Sequence, residues 1–242
     1  MLLPMSSVPV PTLFIVATPI GNLKDITLRA LETLREVDIV AAEDTRHTLQ
    51  LLNAHNITKR LISCRAANEG QSADGIIKLL GEGQSIAYCT DAGTPGLSDP
   101  GAVLVAKVRA AGHPVVPLPG PSAFASLLSV GGFGGRTVTF DGFLSVKSGK
   151  RQKRVDELLS REEAFILYES PYRIIKLLQA IADTEPDRKL LVAREMTKSH
   201  EEFLSGTALS VLNDLKGRPI IKGEFAVLVS GAVSDDEDDV KE

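Results

Sequence analysis

Along most of this 242-residue chain, short apolar runs alternate with stretches whose apolar positions recur at helical spacing. Leu13 to Ala17 reads as a first strand, and Ile26, Ala30, Leu31, Leu34 and Val37 as the buried stripe of a helix. Ile39 to Ala42, Leu61 to Cys64, Ser85 to Cys89 and Val115 to Pro117 supply four further strands. Between them, helices are expected from Thr45 through Leu52, from Ser72 to Leu80 and from Val103 to Ala111. Thr45 is placed to cap the first of these, and Asp99-Pro100 to open the last. Ser122 is placed to cap another helix, which runs to Val130. Strands and helices in this order predict a parallel-rich α/β sheet.

Gly131-Gly132-Phe133-Gly134-Gly135 interrupts the alternation and marks the expected domain boundary, giving domains over 13–133 and 134–231. Beyond it, strands are expected at Thr137 to Phe143, Ala164 to Tyr168, Leu190 to Arg194 and Phe225 to Val229. One helix opens in a basic stretch and runs to about Ser160. Ser170-Pro171 caps a second through Leu178 and Ile181, and Ala208 to Leu215 forms a third. The predicted fold class is therefore α/β in both halves, with a parallel-rich N-terminal sheet and a mixed C-terminal one. Residues 1–12 read as a loose, proline-broken extension without a signal-peptide pattern, and 232–242 as a disordered acidic tail.

Three turns at the carboxyl ends of strands share one composition: Thr18 to Asn22, Asp91 to Asp99, and Pro119 to Ala123. Glycine and proline dominate them, and open α/β sheets place ligands at this edge. The same residues also suit plain strand-to-helix connections. Converging, the three turns make a small-molecule pocket rich in backbone donors and acceptors, with the Asp91 carboxylate available to hydroxyl or amino groups. Polar groups gather at two more strand ends, Glu43-Asp44-Thr45-Arg46 and Arg194-Glu195-Met196-Thr197-Lys198.

Charge changes the picture in one place. The chain carries −4 overall, but Asp235 to Glu242 alone carries −5, so the rest carries +1. Within that body Lys147, Lys150, Arg151, Lys153 and Arg154 crowd together, a pattern suited either to gripping phosphate or to a solvated helix start. Other chemistries find little support. Four scattered histidines and two isolated cysteines give no metal-ligand spacing, so no metal is expected. Neither a Gly-x-Ser-x-Gly elbow, a Walker loop nor a Gly-x-Gly-x-x-Gly fingerprint is present. Cys64 and Cys89 end apolar runs, as reduced thiols of a cytoplasmic protein do, and no apolar run reaches membrane-spanning length.

Seven ordered segments carry a family resemblance: Thr18-Pro19-Ile20-Gly21-Asn22-Leu23, Ala42-Glu43-Asp44-Thr45-Arg46, Asp91-Ala92-Gly93-Thr94-Pro95, Pro119-Gly120-Pro121-Ser122, Tyr168-Glu169-Ser170-Pro171, Ala193-Arg194-Glu195 and Lys222-Gly223-Glu224. From Leu13 to Gly231 the chain resembles the bacterial 16S ribosomal RNA (cytidine-2′-O)-methyltransferases. These belong to the tetrapyrrole-methylase-like group of class III S-adenosylmethionine (SAM) methyltransferases. The resemblance implies two α/β domains, SAM in the cleft between them, a homodimer, and 16S rRNA within the small ribosomal subunit as substrate. It assigns Pro19, Asp91, Gly93, Thr94, Ser122, Ala123, Tyr168 and Phe225 to the cofactor. Neither DNA, which lacks the 2′-hydroxyl, nor a membrane is an expected partner.

Family members usually carry histidines where Arg65, Ala67 and Tyr172 stand here. Removal of the ribose proton is then expected of Glu43, Glu195 or Lys198, with Arg46 orienting the RNA and Lys147, Lys150, Arg151, Lys153 and Arg154 holding its backbone. Two other readings share these residues: methylation of a tetrapyrrole or corrinoid, and a SAM-binding module without catalysis.

Overall fold

The computed structural model describes residues 10–133 and 135–232, in two compact units that meet in sequence between Ser122 and Ala123. The expected N-terminal extension and acidic tail lie almost wholly outside the described residues.

The first unit is a five-stranded sheet of β1 (Leu13–Val16), β2 (Ile39–Ala42), β3 (Arg60–Ser63), β4 (Ile86–Cys89) and β5 (Val115–Leu118). Their order is β3-β2-β4-β1-β5 and every pairing is parallel. Consecutive side chains of a strand point to opposite faces, which divides the apolar runs in two. Val40, Ala87 and Cys89 pack against α1 (Leu28–Glu36) and α2 (Thr45–Ala54) on one face. Ile39, Ala41, Ile86 and Tyr88 pack against α3 (Glu69–Gly81) and α4 (Ala102–Ala110) on the other. The strands are apolar on both faces because helices cover both, which is why they read as unbroken runs.

The second unit begins with α5 (Ala123–Ser129), followed by β6 (Val138–Phe143), α6 (Ser148–Leu159), β7 (Ala164–Glu169), α7 (Ile174–Thr184), β8 (Lys189–Arg194), β9 (Glu202–Thr207), α8 (Ala208–Lys216) and β10 (Phe225–Val229). Its sheet runs β6-β7-β10-β8-β9, parallel between β6 and β7 and antiparallel elsewhere. One face, with Phe165, Val192 and Val227, is covered by α6, α7 and α8. The other, with Ile166, Ala193 and Leu228, receives Phe124, Leu127 and Leu128 of α5.

Both expected sheet types are present, and the departures are local. β9 has no counterpart among the expected strands: it is an edge strand whose Glu202, Ser205 and Gly206 break any apolar run. Four expected caps differ. Asp44 rather than Thr45 caps α2, its carboxylate accepting the Arg46 amide at 2.9 Å. At α4 the cap position is Gly101 with no side-chain cap, and Asp99 does not fill the role. The amides of Gly101 and Leu104 instead donate to the buried carboxylate of Glu69 on α3. Ser170 does not cap α7 through its hydroxyl; its carbonyl accepts from the amides of Arg173 and Ile174. The Ser122 hydroxyl, expected to cap α5, has no hydrogen-bond partner among the described residues.

Candidate functional site

In the first unit the turns after β1, β2, β4 and β5 leave the sheet at one edge, because all five strands are parallel. Reciprocal backbone hydrogen bonds join two of them: the Thr18 amide donates to Gly93 O at 2.9 Å and the Gly93 amide to Thr18 O at 3.0 Å. The Thr18 hydroxyl reaches Thr90 O at 3.2 Å, and the Thr94 hydroxyl reaches Pro121 O at 3.1 Å. Gly93 takes a φ of +78°, open to glycine at little cost, and a Cβ there would touch Ile20 at 3.4 Å. The three proline- and glycine-rich turns are thus one hydrogen-bonded cluster.

The turn after β2 joins it through charge. The Asp91 amide donates to Glu43 Oε2 at 3.3 Å, and the Asp44 amide to Asp91 Oδ1 at 3.1 Å. Burial, with the nearby Asp91 and Asp44 carboxylates, raises the pKa of Glu43 despite the hydrogen bond it accepts. Arg46 grips the Asp44 carboxylate with Nε at 3.0 Å and a terminal nitrogen at 2.6 Å. That pairing holds Asp44 well below the usual carboxylate range. Pro19 is buried beside Thr18, while Ser122 and Thr90 keep shielded hydroxyls without partners among the described residues.

The second unit has its own polar edge. β7 and β8 run parallel to each other with β10 antiparallel between them, so β7 and β8 end where β10 begins. Arg194, at the end of β8, donates from Nε to Lys222 O at 2.6 Å. Glu195 follows with φ +50° and accepts the Glu224 amide at 2.9 Å. Lys198 Nζ lies 3.1 Å from Glu195 and 2.8 Å from Glu224. Burial pulls the Lys198 pKa down, but the two carboxylates outweigh it and the ammonium is held above its ordinary value. Burial likewise pushes Glu195 up, and the Glu224 amide and Lys198 more than reverse it. Lys198 is thus held as a cation.

Tyr168 and Phe225 occupy opposite faces of this sheet. The Tyr168 ring packs edge-on against Phe140, 5.0 Å between centroids, and Phe143, 5.8 Å, whereas Phe225 is buried in the core beneath the helices. Ala123 is the first residue of α5. Of the basic stretch, all within or just before α6, Lys147, Lys150 and Lys153 are exposed and Arg151 is buried. Arg154 is committed to Asp141, at 2.7 and 2.8 Å, and to Glu157. Sequence reasoning named Thr18 and Glu169 only as members of their segments and missed Glu69. Glu169 is buried, accepts the Ser170 amide at 2.8 Å and pairs with Arg173 at 2.9 Å. Its place in the Tyr168-Glu169-Ser170-Pro171 segment was the available signal.

Comparison with known proteins agrees with this architecture. The family model "Tetrapyrrole (Corrin/Porphyrin) Methylases" matches residues 12–211. The chain is 45% identical to "Ribosomal RNA small subunit methyltransferase I" of Borrelia garinii subsp. bavariensis, over 92% of this chain and 100% of that one. To the protein of the same name from Thermotoga maritima it is 44% identical, covering 90% and 98%, and to that of Bacillus subtilis 40%, covering 94% and 77%. Among solved structures, the methyltransferase CobJ superposes with a TM-score of 0.69 at 18% identity, over 92% of this chain and 95% of that one. A diphthine synthase does so with 0.67 at 14%, over 90% of each; both likenesses concern the fold. With the family model spanning most of its length and relatives of one name aligned almost end to end, the chain belongs to the tetrapyrrole (corrin/porphyrin) methylase family, among its ribosomal RNA small subunit methyltransferase I members.

Proposed function

We propose that this protein transfers a methyl group from SAM to the 2′-oxygen of a cytidine ribose in 16S rRNA of the small ribosomal subunit, and works as a homodimer. The observation that carries the reading is the 40–45% identity, over 90% or more of the chain, to three proteins named ribosomal RNA small subunit methyltransferase I.

The first unit's turn cluster fits such a cofactor. Ser122 and Thr90 bring buried hydroxyls without partners, which a bound ligand would satisfy. Asp91 uses Oδ1 for the Asp44 amide, leaving its other oxygen for ligand hydroxyl or amino groups. At Gly93 the backbone can be approached closely. Pro19, Asp91, Gly93, Thr94 and Ser122 would hold the cofactor, with Ala123, Tyr168 and Phe225 as the resemblance assigns them; Phe225 would contribute through its backbone, since its side chain is buried.

When bound, SAM supplies a methyl group already activated by its sulfonium. The chain's own residues then position the ribose hydroxyl and take its proton. Glu43 suits proton removal, because a carboxylate with a raised pKa is a stronger base than an exposed one. Lys198, held protonated, suits stabilising negative charge and not accepting the proton. Arg46, its guanidinium pinned by Asp44 yet 84% exposed in its side chain, suits a phosphate contact.

The test incubates the protein with labelled SAM and small subunits lacking the modification, followed by mass spectrometry of the nucleosides. 2′-O-Methylcytidine that fades with Glu43→Gln supports the reading. Methylation of a base, or uptake only by a tetrapyrrole precursor, sinks it. Light scattering of the purified chain checks the dimer.

A further inference from the structure

A groove of about 480 Å³ lies between α6 and α7 of the second unit, apart from every residue assigned above to the cofactor. Its mouth is the start of α6, where Ser148 and Gly149 line it and no side chain caps the helix. First-turn amides without a cap, at the positive end of a twelve-residue helix, favour an anion. A second feature points the same way. Arg151 lines the groove, is only 9% exposed, and has no ion-pair or side-chain hydrogen-bond partner among the described residues. Its Nε is buried without a hydrogen-bond acceptor, and an anion in the groove would supply one and offset the charge. Lys176 lines the opposite wall, exposed and without an ion-pair partner among the described residues. The acid in the lining, Asp183, accepts from the Gln179 amide at 2.6 Å and forms no ion pair with either cation among the described residues.

Four residues before Lys176, the β7–α7 turn presents Tyr172, 89% exposed and touching no other ring among the described residues. The turn beneath it is rigidly held. Arg173 bonds Leu144 O at 2.6 Å and pairs with Glu169, and Ser170 O accepts the Arg173 and Ile174 amides. A flat aromatic ring on a fixed pedestal, four residues before the groove's Lys176, has the chemistry of a nucleotide footing: phosphate in the groove, base on the ring.

We propose that the α6–α7 groove seats a phosphate of single-stranded RNA through Arg151, Lys176 and the first amides of α6, and that Tyr172 stacks on a neighbouring unpaired base. The inference rests on the RNA substrate proposed above and adds where the strand is gripped. RNA fits better than a second copy of the chain, because Lys147, just before α6, and Lys150 and Lys153 on it are all exposed, and two such surfaces would repel.

The experiment uses the full chain, a short unstructured fluorescent RNA and, separately, S-adenosylhomocysteine. Tyr172→Ala is expected to weaken RNA about 5- to 150-fold, the range for losing one stacked base, while Tyr172→Phe keeps most of the affinity. Lys176→Glu is expected to weaken it too and to lower the slope of log affinity against log salt by about one. S-Adenosylhomocysteine affinity stays unchanged throughout. Both substituted side chains are exposed, so the variants fold even where Arg151→Ala does not. Unchanged RNA affinity in folded Tyr172→Ala and Lys176→Glu, or a dimer that dissociates instead, overturns the proposal. RNA binding that depends on both residues without methyl transfer to ribose supports this footing and overturns the proposed reaction.

Discussion

One oxygen of Glu69 accepts the amides of both Gly101 and Leu104 at 2.9 Å, so a carboxylate from α3 caps the helix that follows the Asp91 turn. The turn is anchored at both ends: Thr18 holds Gly93 near its start, and Glu69 holds Gly101 at its close.

Glu69→Ala leaves two buried amides without an acceptor, and each such loss costs about 1–3 kcal/mol. A fall in unfolding free energy of that order is expected by urea denaturation, with Glu69→Gln, which retains an oxygen, falling less. Equal stability of Glu69→Ala and wild type would show that this carboxylate does not hold α4.

Asp91 links the cofactor-side turn to the turn after β2 through the Asp44 amide. Asp91→Ala is expected to weaken S-adenosylhomocysteine by about 1–3 kcal/mol in isothermal titration, the scale for a lost buried polar partner. A folded Asp91→Ala protein with unchanged affinity refutes the placement.

Glu43 gives a pH dependence of definite sign. Its pKa in the folded protein is raised above the ordinary 4.5, so its ionised form opposes folding. The stability tied to this group is complete below 4.5 and is lost as pH rises through the raised value. Glu43→Gln, uncharged at every pH, is therefore expected to melt higher than wild type near neutrality, the gap closing in acid. It is also expected to lose methyl transfer. A melting gap that widens in acid would contradict the shift.

Gly223 sits at φ +96°, and a Cβ there would collide with the Glu195 side chain. Gly223→Ala is expected to cost about 1–3 kcal/mol, as overpacking does. It also displaces the carboxylate that Lys198 pairs with. Denaturation measures the first effect, and the transfer rate measured alongside it the second.

Apart from the buried Arg151, the basic residues at and just before the start of α6 separate into two kinds. Replacing Lys147, Lys150 and Lys153 with serine is expected to leave unfolding unchanged and to flatten the salt dependence of RNA binding. Arg154→Ala instead frees Asp141 from a partly buried pair and is expected to cost about 1 kcal/mol. Arg154 lowers the Asp141 pKa, so that stability is present above the ordinary 3.8 and is lost as pH falls through the depressed value. A destabilised triple-serine variant with a neutral Arg154→Ala would reverse these assignments.

What could be read from the residues alone depended on how local each cause was. The strands of the parallel sheet are covered on both faces, so runs such as Ile39 to Ala42 were plain in the sequence. The edge strand Glu202–Thr207 was invisible because half of its pattern faces outward. Asp44 and Thr45 are both good caps and adjacent, and only backbone geometry separates them. Glu69 reaches α4 from 32 residues away, beyond any local pattern. The turns at Thr18, Asp91 and Pro119 were legible by composition, but their mutual hydrogen bonds were not. Arg154 and Lys150 looked alike as charges, and only the position of Asp141 distinguishes them.

The placement of β10 bears on how the chain is made. By Leu118 the ribosome has delivered all five strands of the first sheet, so its ladder can close while synthesis continues. The second sheet has no such freedom. Its middle strand, Phe225–Val229, is the last to be translated, and it alone bridges β7 to β8. Until then β6-β7 and β8-β9 are separate pairs, each exposing an apolar edge to any passing strand. A nascent chain stalled before Phe225 therefore presents two open edges to chaperones or to aggregation.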